Sequence, residues 1–158
     1  MELKSPRDQQ ELQERIGYFF KDSDSERLRN ALTTRAYANE HNITPEKTME
    51  SFQTLGDALI DVIVLQNLIN KKKCYTPEDL TDSLSEVVRN AALPPLAEAI
   101  NLIEFVRWGN GQIKEEHWKT DDLVSDCLES LIGAVYLDSG QNMEVTAGVY
   151  DRIEKLAR

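Results

Sequence analysis

Apolar residues recur at helical spacing through most of this 158-residue chain, and no segment sustains the alternation of a half-buried strand. The pattern predicts an all-α fold. Thr44-Pro45-Glu46 and Thr76-Pro77-Glu78-Asp79 each join a capping hydroxyl to a Pro at the first helical position and acids in the first turn. They are read as the starts of a long helix and of its successor. Asn70 with Lys71, Lys72 and Lys73 closes the first, Leu93-Pro94-Pro95 interrupts the next, and Gly109-Asn110-Gly111 marks a loop. A further helix is predicted from near Thr120 to near Gly140. Its Leu123, Leu128, Leu131, Ile132, Val135 and Tyr136 fill one broad side and suit a buried central helix. A last amphipathic helix is predicted from about Asn142 to Ala157. There are no internal repeats or low-complexity tracts. With 41% hydrophobic residues, the chain has enough apolar content for one core, so residues 1–158 are read as a single domain.

Two stretches far apart in the chain interrupt these apolar runs with acids. Glu50, Gln53 and Asp57 are spaced three and four residues apart, and Asp126 and Glu129 three apart, so each stretch lines its polar groups along one helical face. Two carboxylates about 5 Å apart repel by roughly 3 kcal/mol at an effective dielectric near 20, which argues against a cluster kept for stability alone. A divalent cation would remove that cost. Gly56 and Gly133 sit where two crossing helices could bring the acidic faces together. A single acid on a helix is usually just solvated, and either stretch alone would carry little weight.

The flanking residues add to this. Leu55-Gly56-Asp57-Ala58-Leu59-Ile60 and Leu131-Ile132-Gly133-Ala134-Val135-Tyr136-Leu137-Asp138-Ser139-Gly140 resemble the signature segments of the ribonuclease III catalytic domain. Leu12 to Phe20, Ala31 to His41 and Phe105 to Gln112 extend the resemblance in the family's order over nearly the whole chain. It implies a metal-dependent endoribonuclease acting on double-stranded RNA. The implied enzyme is a homodimer, uses Mg2+ with Mn2+ as substitute, and leaves 5′-phosphate ends with short 3′ overhangs. Glu50, Asp57, Asp126 and Glu129 fall on the family's catalytic and metal-binding acids. Position 53, usually a glutamate ligand, is Gln, whose carboxamide oxygen brings no charge. Two readings of that departure stand: Glu50 reaches the metal from one turn earlier, or Gln53 is a deliberate Glu-to-Gln change. Position 54, where the family commonly places a large apolar knob for its dimer partner, is Thr, so a rebuilt interface is expected. Familiar members append a double-stranded RNA-binding domain; the expectation here is a minimal member without one. The alternative is a catalytically silent dimer serving as an RNA-binding or scaffold accessory factor.

The net charge of -10 weighs against nucleic-acid binding, which is driven largely by Lys and Arg. Bound cations would offset part of it where the scissile phosphate sits, and a local basic track is still available. Arg107, Gln112 and Lys114 are the RNA-contact candidates, with Arg35, Lys119 and the Lys71 to Lys73 run further along. Cys74 and Cys127 have no CxxC spacing and are read as free thiols in a reducing compartment. His41 and His117 form no triad or zinc pattern. Phe105, Trp108, Trp118 and Tyr136 are scattered, which favours packing over a base-stacking platform. A polar N-terminus, and acids at 57 and 61 within the apolar run, argue for a cytoplasmic protein with no membrane partner.

Overall fold

A computed structural model describes residues 8–21, 26–72, 76–88 and 92–158, with the side chains of Lys72, Val87 and Val88 excepted. Among these residues the chain forms nine α-helices and no strand beyond one isolated Thr33–Arg107 bridge. The helices are α1 (Gln9–Ile16), α2 (Glu26–Ala31), α3 (Arg35–Glu40), α4 (Glu50–Lys72), α5 (Pro77–Val88), α6 (Pro94–Ala99), α7 (Asn110–Lys114), α8 (Asp121–Asp138) and α9 (Met143–Leu156).

The centre of the fold is the crossing of α4 and α8. A Cβ added at Gly56 would lie 1.7 Å from the Glu129 carbonyl oxygen, and one at Gly133 would lie 2.4 Å from that of Phe52. Neither position admits a side chain, so the two backbones touch. Ser130 fixes the register: its buried Oγ lies 2.9 Å from the Ala31 carbonyl oxygen and 3.2 Å from that of Met49 and donates to them. The hydroxyl thereby links the carbonyl at the end of α2 to the one at the entrance of α4, which also accepts from the Phe52 and Gln53 N–H groups. Around the crossing, Leu12, Ile16, Leu28, Ile60, Ile63, Leu128, Leu131, Val135 and Ile153 are excluded from solvent. At about 1.5–3 kcal/mol for each large apolar side chain, this burial is what holds α8 at the centre.

The start of α4 differs from expectation. Thr44-Pro45 opens only a 3-10 turn, Pro45–Lys47, and α4 begins at Glu50. Tertiary contact overrides the local signal: the Met49 N–H donates to the Thr33 carbonyl (2.9 Å), holding extended backbone at Thr48 before the helix can begin. The starts of α5 and α8 and the extent of α9 match the pattern. The expected loop at 109–111 is instead the entry to α7. The Gly109 N–H donates to Gln112 Oε1 (3.0 Å), a one-sided cap, and the Ile113 N–H donates to the Gly109 carbonyl (3.0 Å) as the first helical bond, which makes a helix of a turn-like sequence.

One buried acid ties the chain together. Asp138, at the end of α8, accepts hydrogen bonds from the Tyr18 hydroxyl (2.7 Å) and the Lys21 N–H (3.0 Å), and pairs with Arg27 (3.1 Å). By length and composition the span Glu50–Lys71 could cross a bilayer. Its apolar residues, however, are divided between the core and an exposed stripe that includes Ala58, Val62 and Ile69.

Candidate metal centre

The α4/α8 crossing brings the two acidic stretches side by side. Gly56 precedes Asp57 on one helix while its partner atom belongs to Glu129 on the other, so a close backbone approach joins the two acidic stretches. Glu129 is half-buried, and its carboxyl is pushed up to about 7, first by burial and then by the charges of Asp57, Asp126 and Asp61. Asp126 is raised by burial, Asp122 and Asp57. Asp61 is raised by burial and then by Asp57. Asp57, Asp61, Asp126 and Glu129 therefore share one field. Among the described residues no ion pair with Lys, Arg or His offsets any of them.

Among the described residues, no three Asp, Glu, His or Cys side chains already converge as a coordination shell. The carboxylates stand apart, as uncompensated like charges do. The donor set itself is all oxygen, partly desolvated and strongly negative, and the buried Oδ1 of Asp61 has no hydrogen-bond partner. Such a set suits a hard cation of the Mg2+ or Mn2+ kind rather than zinc.

Of the residues expected here, Asp57, Asp126 and Glu129 act on one another's charge across the helix crossing without converging as a shell. Gln53 lies one turn before Asp57, half-buried. Glu50 is drawn elsewhere: exposed at the start of α4, it pairs with Arg35 at 3.4 Å. Asp61 is the acid that the sequence reading passed over as a site residue. Its i, i+4 relation to Asp57 was the available signal.

The RNA-contact candidates divide. Arg107 is anchored by its backbone, whose N–H donates to the Leu32 carbonyl (2.7 Å) and whose carbonyl accepts from the Thr34 hydroxyl (2.8 Å). Its guanidinium lies 5.7 Å from the Tyr37 ring centre, and burial lowers its pKa. Gln112 Oε1 is committed to the fold, accepting from the Thr34 hydroxyl and the Gly109 N–H. Lys114 is exposed on α7. Lys71 pairs with Asp151 (3.5 Å) and Lys119 with Glu116 (2.8 Å). Lys73 and Cys74 lie outside the described residues, as does the Lys72 side chain.

Cys127 is fully buried, and burial pushes its thiol well up, which makes it a small core residue rather than a nucleophile. His41 stacks on Tyr37 and His117 pairs with Glu115, far from any Ser-His-Asp arrangement. Phe105 and Trp108 are buried, and the indole N–H of Trp108 donates to the Ile103 carbonyl (3.0 Å). Neither offers a stacking platform.

Comparison with known proteins identifies the family and the fold. The family described as Ribonuclease-III-like matches residues 24–151. A Ribonuclease 3 from Listeria monocytogenes is 36% identical over 137 residues, which are 87% of this chain and 59% of the relative. One from Pseudomonas putida is 32% identical over 148 residues, covering 92% and 61%. The chain thus spans about three-fifths of the length of these curated relatives. Among solved structures, the nuclease domain of ribonuclease III from Campylobacter jejuni superposes with a TM-score of 0.81 at 26% identity, covering 94% of this chain and 97% of that one. That structure is described as showing flexibility in a region involved in dimer formation. With the family matched across most of its length and the nuclease-domain fold reproduced, the chain belongs to the ribonuclease III family.

Proposed function

We propose that this chain is a metal-dependent endoribonuclease that hydrolyses phosphodiester bonds of double-stranded RNA, leaving 5′-phosphate ends with short 3′ overhangs. The observation that supports the reading is the close α4/α8 crossing at Gly56, with Asp57, Asp126 and Glu129 acting on one another and, among the described residues, no ion pair offsetting them. Two partly buried carboxylates, Asp126 and Glu129, in one field with the exposed Asp57 cost stability, and a divalent ion would convert that cost into binding.

A Mg2+ or Mn2+ ion bound here supplies an activated water and a counter-charge for the leaving 3′ oxygen. Asp57, Asp126 and Glu129 would hold it. Glu129, whose carboxyl is pushed up to about 7, would have to be deprotonated to serve as a ligand, which would couple ion binding to pH. Glu50, paired with Arg35, stands at the approach to the site, where it orients the guanidinium or turns inward as a further ligand. Arg107 and Lys114 carry positive charge on the α7 side for phosphate contact. Gln112 acts through the loop it caps.

The active unit in this reading is a cytoplasmic homodimer. The exposed stripe of α4, Thr54, Ala58, Val62 and Ile69, is the face offered to the second copy. Phe52 is 7% exposed and packed in the core, so it does not take over the knob role that Thr54 lacks.

The test is cleavage of an end-labelled RNA duplex at low salt, with Mg2+ or Mn2+ against EDTA. The expected result is metal-dependent cutting, lowered on the order of 10³-fold in Asp57→Ala, as losing several kcal/mol of charge stabilisation implies. Gln53 favours a second reading, the silent accessory factor. If the duplex is bound and cut by no variant, including Gln53→Glu, that second reading replaces the first.

A further inference from the structure

The cation site proposed above is the starting point here, and its unusual feature is Gln53. On α4, Gln53, Asp57 and Asp61 are spaced four residues apart, so they form one ridge with Asp57 in the middle. Neighbouring members of such a ridge have Cβ atoms about 5–6 Å apart, close enough for two carboxylates to share one ion through bonds of roughly 2.0–2.6 Å. Replacing the acid at one end of the ridge with a carboxamide removes a charge, and Asp61 places one at the other end.

We propose that Asp61 is an additional cation ligand of this site, supplying the carboxylate that Gln53 lacks. Two observations single it out from the other surface acids of the chain. Its Oδ1 is buried yet accepts no hydrogen bond, an arrangement that costs stability unless a further group completes it. Its charge also acts within the cluster: Asp57 bears on Asp61, and Asp61 bears on Glu129 across the helix crossing. Asp61 therefore lies within electrostatic reach of two of the acids assigned to the ion, one of them its i, i+4 neighbour on α4. Asp138 shows how the same fold treats a structural carboxylate, surrounding it with a hydroxyl, a backbone N–H and a guanidinium. Asp61 receives none of these. Its placement adds a fourth carboxylate to Asp57, Asp126 and Glu129, so the ion would meet the negative charge that an acid at position 53 would otherwise complete.

Manganese binding to the RNA-free protein, by calorimetric titration with MnCl2, tests this without reference to cleavage. Asp61→Asn is nearly isosteric and relieves like-charge repulsion, so it should remain folded by circular dichroism. Its affinity should fall at least tenfold. Adding Gln53→Glu to that variant should restore affinity to within about threefold of the parent, since the charge returns at the opposite end of the ridge. Wild-type affinity in Asp61→Asn, or no recovery in the double variant, overturns the proposal. If Asp57→Asn loses binding while Asp61→Asn keeps it, only the role of Asp61 falls and the site stands. If the parent protein binds no Mn2+, the metal-site reading falls with it.

Discussion

Asp138 and Glu129 lie on the same helix, nine residues apart, and meet opposite treatment. Asp138 is 6% exposed and is met by the Tyr18 hydroxyl, the Lys21 N–H and Arg27. Glu129 is half-buried among Asp57, Asp61 and Asp126, and its carboxyl is pushed up to about 7. The first is a carboxylate the fold completes for itself, closing the N-terminal segment onto the end of α8. The second is one the fold leaves to be completed by something else. Burial of acid is thus a poor guide to function by itself; what separates the two regions is whether the partners come from within the chain.

The comparison can be broken at its geometric root. Gly56→Ala would drive a methyl into the Glu129 carbonyl, so the helices must separate. Overpacking of this kind costs about 3 kcal/mol or more, read by urea denaturation, and should weaken metal binding as well. Asp138→Ala comes next. It strands the Tyr18 hydroxyl and the Lys21 N–H, with a loss of about 1.5–3 kcal/mol, while the metal response stays as in the parent protein.

Glu129→Gln sharpens the contrast through pH. A carboxyl whose folded pKa lies above its unfolded value of 4.5 contributes stability that is present below about 4.5 and lost as pH rises towards 7. In EDTA the parent protein should therefore lose stability across that window, by on the order of 1–2 kcal/mol once solvent screening of a half-exposed group is allowed for. Glu129→Gln should flatten the profile. The smallest effect is that of Ser130→Ala, about 1 kcal/mol, because the hydroxyl that sets the α2, α4 and α8 junction is lost without disturbing the acids.

Much of this arrangement was legible before any coordinates. Helical spacing of Asp57, Asp126 and Glu129 inside apolar runs, with Gly56 and Gly133 nearby, was enough to place two faces against each other, because glycine at a helix crossing and acid at i, i+3 or i+4 are local signals. What escaped was set by distant contact. Thr44-Pro45 looks like the start of a long helix, yet a hydrogen bond from Met49 to Thr33 delays it. Gly109 looks like a loop until Gln112 turns back to cap it. Asp61 reads as an interruption of an apolar run, and only the folded arrangement brings its charge to bear on Glu129 of α8. Glu50 is the reverse case: its spacing puts it with the acids, while Arg35, close by in space, draws it aside.

The most direct test of the account is thermal unfolding of the RNA-free protein as Mg2+ is raised, in the parent, Asp57→Asn and Asp138→Asn. An ion that binds only the folded state stabilises by about 2.7 kcal/mol at a hundred times its dissociation constant. The account predicts a Tm that climbs with Mg2+ in the parent, stays flat in Asp57→Asn, and climbs just as steeply from a lower baseline in Asp138→Asn. A Tm insensitive to Mg2+ in the parent, or equally sensitive in Asp57→Asn, would contradict it.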